Sequence, residues 1–125
     1  MNKQTALQRL FEPDIKVFVE KIRPENIEIR KELDIGYTFE KQDLIIYEIR
    51  PSMKQDAKGE FEFDFDKKIQ IPSAKAKFIK SKNIWRIYWH RANNKWAAYT
   101  PHPEVKELSS FFRIIDEDGY GCFWG

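Results

Sequence analysis

The stretch AKAKFIKSKNIWRIYWHRANNKWAAY, residues 74–99, decides the fold. Ala74 to Ile79 and Ile84 to Arg91 are short runs rich in aliphatic and aromatic residues, separated by the polar turn Ser81-Lys82-Asn83. Ala92 to Lys95 is a second short turn, and Trp96 to Tyr99 reads as a short returning strand. Such tight connections join antiparallel neighbours, because a parallel crossover needs about a dozen residues or more. Residues 74–99 are therefore predicted as antiparallel strands. Alternation along a strand puts Trp85, Ile87 and Trp89 on one face of the middle segment and Ile84, Arg86, Tyr88 and His90 on the other.

Upstream, residues 27–50 carry the same period of two. Ile27, Ile29, Leu33, Ile35, Tyr37 and Phe39 hold odd positions, with Glu28, Arg30, Glu32, Asp34 and Thr38 on even ones. Lys41, Gln42 and Asp43 form a turn into Leu44 to Ile49, which Pro51 is expected to close, so 27–50 reads as a strand hairpin. Before it, Leu7, Leu10, Phe11, Ile15, Phe18 and Ile22 recur at helical spacing, making 5–22 helical. Pro13 either kinks that helix or opens a second one. Residues 52–72 read as a loop in which EFEFDFD is an edge strand or one arm of an inserted hairpin paired with Ile69 to Ile71. Downstream, Thr100-Pro101-His102-Pro103 breaks the sheet, and Val105, Leu108, Phe112 and Ile115 place a helix at 104–117. The tail 118–125 is too aromatic to be left in water and is expected to dock. The whole reads as one α+β domain, 1–125: an antiparallel meander of about five strands with an N-terminal and a C-terminal helix packed on it.

Composition narrows the function. The chain has 42% hydrophobic and 34% charged residues, which fits a folded domain and excludes a disordered one. One cysteine, Cys122, allows no intrachain disulfide, and with two histidines it leaves no ordinary four-ligand zinc site. No apolar run approaches a membrane-spanning length, and the N-terminus does not resemble a secretory signal. A cytoplasmic protein with no cofactor, no metal and no membrane partner is expected. No glycine-rich phosphate loop occurs.

Charge is unevenly spread. Residues 1–50 hold nine Lys and Arg against ten Asp and Glu, and 51–66 hold two against five. Residues 67–103 hold nine basic residues and no acid, whereas 104–125 return to two against five. The basic third also contains Trp85, Tyr88, Trp89, Trp96 and Tyr99. Cations neutralise phosphates and rings stack on bases, so this pairing suits a single-strand nucleic-acid binder. The candidate ligand residues are Lys75, Lys77, Lys80, Lys82, Arg86, Tyr88, Arg91, Lys95 and Trp96. Strand aromatics also serve as core or cross-strand partners, and the acidic EFEFDFD segment is able to lie over the basic strands and cancel their field. A homodimer that buries the sheet aromatics is the second class.

A hydrolytic or phosphate-processing site is the third. Leu44, Ile46, Glu48 and Arg50 share a strand face, and a suitable register would bring Glu48, Arg50, Arg86, Tyr88 and His90 onto one surface. Glu48 would then orient His90 as a general base, with Arg50 or Arg86 holding an anion. Cross-strand ion pairing is the plainer explanation of the same residues. A nuclease-like set of Asp43, Glu48 and Arg50 fails on chemistry, because arginine cannot act as a base and Lys77 would have to replace it. Asp116 and Asp118 lack calcium-loop spacing, and Cys122 reads as a small hydrophobe.

YEIRP at 47–51, AKF at 76–78, WRIYWHRANNKW at 85–96 and DEDGYGCFWG at 116–125 resemble the small bacterial family known as domain of unknown function 3024. The resemblance runs from about Ile22 to the last residue, and the closing Phe-Trp-Gly after an Asp-x-Asp is its most specific part. It implies a small stand-alone protein of uncharacterised activity. The recurring features fall on Glu48, Arg50, Pro51, Lys77, Tyr88, Trp89 and Trp96, which implies that a shared surface would involve Glu48, Arg50, Lys77 and the 85–96 strand pair. The long stretch between Pro51 and Ala76 departs from the compact family pattern and reads as an elaboration.

Overall fold

The computed structural model describes residues 5–124; Gly125, the last residue of the expected tail, lies outside it. Helix α1, Ala6–Ile22, starts at a capping box in which Thr5 Oγ1 accepts from the Gln8 backbone and the Gln8 side chain accepts from Thr5 N. Pro13 lies inside α1, so the N-terminal segment is one helix. Its stripe of Ile15, Phe18 and Val19 is buried.

The sequence reading of 27–50 as strand throughout needs correction. Ile27–Arg30 forms a short helix, α2, capped by Asn26, and Ile27 and Ile29 are exposed. The Asn26 side chain accepts from Glu28 N, a local bond that outweighs the alternating pattern. The sheet begins with β1, Asp34–Glu40, and turns into β2, Asp43–Gln55. Pro51 does not end β2; it sits buried where the register with the next strand shifts. A shift of this kind is where a residue without an N–H is tolerated.

Strand β3 is a single span, Phe61–Ile79, pairing antiparallel with β2 along its length. EFEFDFD is thus one side of an arm, but its partner is Ser52–Gln55 rather than Ile69 to Ile71. Opposite the Pro51/Ser52 shift, residues 65–67 of β3 are left unpaired, and Phe65 and Lys68 border an open hollow with Ile27 and Arg30 of α2, with Lys68 Nζ donating to Lys31 O. The acidic segment therefore continues outward along β3 and does not cover the basic strands. Strand β4, Ile84–His90, pairs β3; on its other edge lie β5, Trp96–Ala98, and then β6, Glu104–Val105. Val105 belongs to β6 rather than to the predicted 104–117 helix, because its backbone pairs Trp85. Helix α3, Leu108–Glu117, follows.

The result is an α+β fold: an antiparallel sheet in the order β1-β2-β3-β4-β5, with β6 added beside β4, and both long helices on one face. Trp85, 1% exposed, is the hub of the core: Phe11 of α1 meets it edge-on at 5.1 Å, and Phe78 and Phe39 lie at 5.0 and 6.1 Å. Phe18 of α1 stacks on Phe112 of α3 at 4.3 Å. Arg23, just after α1, makes a two-point bond to Asp34 at the start of β1, at 2.8 and 2.9 Å. That contact holds the Asp34 carboxyl below its usual range.

Candidate functional site

Register decides what each face of the sheet carries. Leu44, Ile46, Ala74, Ala76, Trp85 and Ile87 are all buried and face the helices. Alternation sends Ile45, Tyr47, Lys75, Lys77, Arg86 and Tyr88 to the opposite face. Glu48 and Arg50 follow Leu44 and Ile46 to the helix side. Arg86 and Tyr88 therefore do not share a surface with Glu48 and Arg50, although Glu48 and His90 border one cleft, and Asp43 and Glu48 of the nuclease-like set point opposite ways.

The open face is built around a cation. Lys75 pairs Tyr88 across β3 and β4, and its ammonium lies over two rings, 4.8 Å from the centre of Tyr88 and 4.9 Å from that of Trp96. Trp96 stands opposite His90, whose ring meets it edge-on at 5.0 Å. One step along the strands, Lys77 pairs Arg86. Among the described residues neither these two nor Lys75 makes an ion pair. Asp43 stands beside Lys77, and Glu104 beside Arg86, so the row has an acid at each end. Asp43 Oδ1 is buried with no hydrogen-bond partner among the described residues. Tyr47 lies on this face over Gly36, where a Cβ would stand 2.7 Å from its Cε2, so glycine is what lets the ring lie flat. Burial raises the Tyr47 hydroxyl above its ordinary pKa.

The remaining candidate cations disperse. Lys82 and Lys95 are exposed in the turns bounding β4, and Lys80 borders a groove beside α1. Arg91 lies over Trp89, 5.6 Å from the ring centre, and lines a cleft on the helix side.

That cleft collects several residues that carried the resemblance. Glu48, Ser73, His90, Arg91, Asn94, Phe123 and Trp124 line about 380 Å³, and Trp124 also borders a neighbouring hollow with Lys21, Asp116 and Arg50. Glu48 is engaged: its Oε2 accepts from Arg50 Nε at 2.8 Å. The ion pair thus forms along one strand rather than across strands.

Sequence reasoning did not foresee the role of Asp118. It ends α3 in the left-handed region at φ 42°, and its carboxylate oxygens accept from Phe123 N at 3.1 Å and Trp124 N at 3.0 Å. Trp124 Nε1 donates to Ile115 O at 2.7 Å, and Phe123 is buried against Tyr99. The acid-and-glycine tail motif is a clasp that closes the C-terminus onto the core. Gly121, at φ 66°, makes the reversal possible. Asp116 pairs instead with Lys21 of α1, at 4.0 Å. The Cys122 thiol is pushed up in pKa by burial and by the nearby Asp118, so it is poorly suited to act as a nucleophile. Among the described residues, no cluster of three His, Cys, Asp or Glu side chains is placed to hold a metal ion, and no helix is long and apolar enough to cross a membrane.

The family model for domain of unknown function (DUF3024) matches residues 3–125. The chain belongs to the DUF3024 family. No curated protein and no solved structure matches it significantly. The DUF3024 match runs through the 52–72 segment, so the arm read as an elaboration lies within the span that the family model covers.

Proposed function

We propose that the open face of the sheet binds single-stranded nucleic acid, with Lys75, Lys77 and Arg86 on the phosphates and Tyr88 and Trp96 on the bases. The observation that carries this reading is the Lys75 ammonium held between the Tyr88 and Trp96 rings, on a face that neither long helix covers. A sheet with helices behind it and rings in front is a general way to splay and stack bases. Its cations carry no ion-paired carboxylate among the described residues, so a phosphate need not displace one. Asp43 and Glu104 bound the strip laterally and would confine a strand to the line of Lys75, Lys77 and Arg86. Duplex is a poorer fit, because stacking on Tyr88 and Trp96 requires unpaired bases.

The test is fluorescence anisotropy of labelled single-stranded DNA, single-stranded RNA and duplex DNA over a range of salt. Binding should favour the single strands and weaken as salt rises. Arg86→Glu should weaken it and make the logarithmic salt slope shallower by about one or more. Salt-independent binding, or unchanged affinity in both Lys77→Glu and Arg86→Glu, would contradict the reading.

A further inference from the structure

Ser73 is a buried polar residue that neither the core nor the open face explains. Ile46 pairs Ala74 whereas Tyr47 pairs Pro72, so Ser73 is one extra residue in β3, a bulge. Bulges of this kind re-aim a side chain that strict alternation would place elsewhere. Here the bulge residue lines the cleft of about 380 Å³ on the helix side, with Glu48, His90, Arg91, Phe123 and Trp124. Ser73 is 5% exposed, and among the described residues its hydroxyl makes no hydrogen bond. A buried hydroxyl without a partner costs stability, and alanine would fit without that cost, as Ala74 and Ala76 do on the same strand.

Glu48 stands on the neighbouring strand, opposite Ile71. Its side chain is 14% exposed. The bond from Arg50 goes to Oε2, which leaves Oε1 without a hydrogen bond among the described residues. On the other side of Ser73, Arg91 follows the end of β4. Its guanidinium lies over the Trp89 ring and makes no ion pair among the described residues. His90 borders the same cleft, but its ring is engaged edge-on with Trp96.

Strands β2, β3 and β4 are consecutive neighbours in the sheet, so the backbones carrying Glu48 and Arg91 lie roughly 10 Å apart, two inter-strand spacings. The cleft therefore has acceptors at one end, Glu48 Oε1 and Ser73 Oγ, and a cation at the other. A simple anion would meet the Glu48 carboxylate, and a simple cation would meet Arg91. A molecule that carries both an ammonium and a carboxylate satisfies both ends. Between them, Phe123 and Trp124 supply an apolar wall, and the volume suits a small molecule. We propose that this cleft binds a free α-amino acid. Its ammonium donates to Glu48 Oε1 and Ser73 Oγ, its carboxylate accepts from Arg91, and an apolar side chain lies against Phe123 and Trp124. The site is on the helix side of the sheet, so the proposal does not depend on nucleic-acid binding at the open face.

The test is isothermal titration calorimetry of the full chain with leucine, methionine and phenylalanine, beside two one-ended analogues of leucine, isoamylamine and 4-methylpentanoate. At least one of the amino acids should bind, and both analogues should bind at least about tenfold more weakly than leucine, the loss of one charge-assisted hydrogen bond or more. Ser73→Ala and Arg91→Ala should each weaken amino-acid binding by a similar factor. Thermal melts separate a ligand role from a structural one: Ser73→Ala without ligand should melt at or above the wild-type temperature, because an unpaired buried hydroxyl is gone. Absence of binding by all three amino acids would overturn the proposal. So would an analogue that binds as well as leucine, unchanged affinity in either variant, or a lowered melting temperature in Ser73→Ala, which would show that the hydroxyl serves the fold.

Discussion

Trp85 and Tyr88 stand three residues apart on β4 and look into different environments. On the helix side, Trp85 is enclosed by Phe11, Phe39 and Phe78 within the hydrophobic core. On the open side, Tyr88 and Trp96 share a lysine and remain partly exposed. One strand therefore carries the fold's hub and the proposed binding strip back to back. What separates them is not residue type but what lies above: a helix in one case, water in the other.

The contrast is most easily broken by truncating each ring. Trp85→Ala should lower unfolding free energy by about 3–5 kcal/mol, through lost burial and the cavity left behind. Trp96→Ala should cost about 1 kcal/mol or less in the same denaturant titration. Comparable losses at both sites would mean that the open face is part of the core.

Next in size is the clasp. Asp118→Ala removes two acceptors from backbone N–H groups and should cost about 2 kcal/mol. The loss should be accompanied by faster amide exchange at Phe123 and Trp124. Unchanged exchange there would show that ring packing alone holds the tail.

Asp34 sharpens the comparison through pH. Its folded pKa lies below the ordinary value of 3.8, chiefly because Arg23 hydrogen-bonds the charged form. The pair's contribution is then fully present above that ordinary value and is lost as pH falls through the lowered one. Asp34→Asn should flatten the acid limb of the stability curve and lower neutral-pH stability by about 1–2 kcal/mol. An unchanged acid limb would remove Arg23–Asp34 from the account.

The smallest effect belongs to the open face. Gly36→Ala should cost about 1 kcal/mol by pushing the Tyr47 ring aside, and the cost should vanish in a Tyr47→Ala background. Persistence of the cost would place its origin in the backbone rather than in the ring.

Much of the fold was legible because short polar turns and alternating side chains leave few topologies. Ser81-Lys82-Asn83 and Ala92 to Lys95 both name antiparallel neighbours, and Trp85 and Ile87 point where period two sends them. Ile27 and Ile29 misled because a four-residue helix is too short to show its own period, and the Asn26 cap is a single residue. Pro51 misled because its meaning depends on a register shift that only the partner strand reveals. The site was half legible. Lys75, Lys77, Arg86, Tyr88 and Trp96 could be grouped by charge and aromaticity, but the parity of β2 against β4 put Glu48 on the other side. Asp118 was visible as an acid near the end of the chain, and nothing local tells a cap from a ligand. The α1 groove joins residues from 5–11, 41–42, 78–80 and 83, and no pattern along the chain connects them.

The most direct test of the open face is Trp96 itself. Tryptophan fluorescence should be quenched as single-stranded RNA or DNA is added at low salt, and the quenching should disappear in Trp96→Phe. Buried Trp85 should contribute nothing to it. No quenching in the wild type, or full quenching in Trp96→Phe, would contradict base stacking on this face.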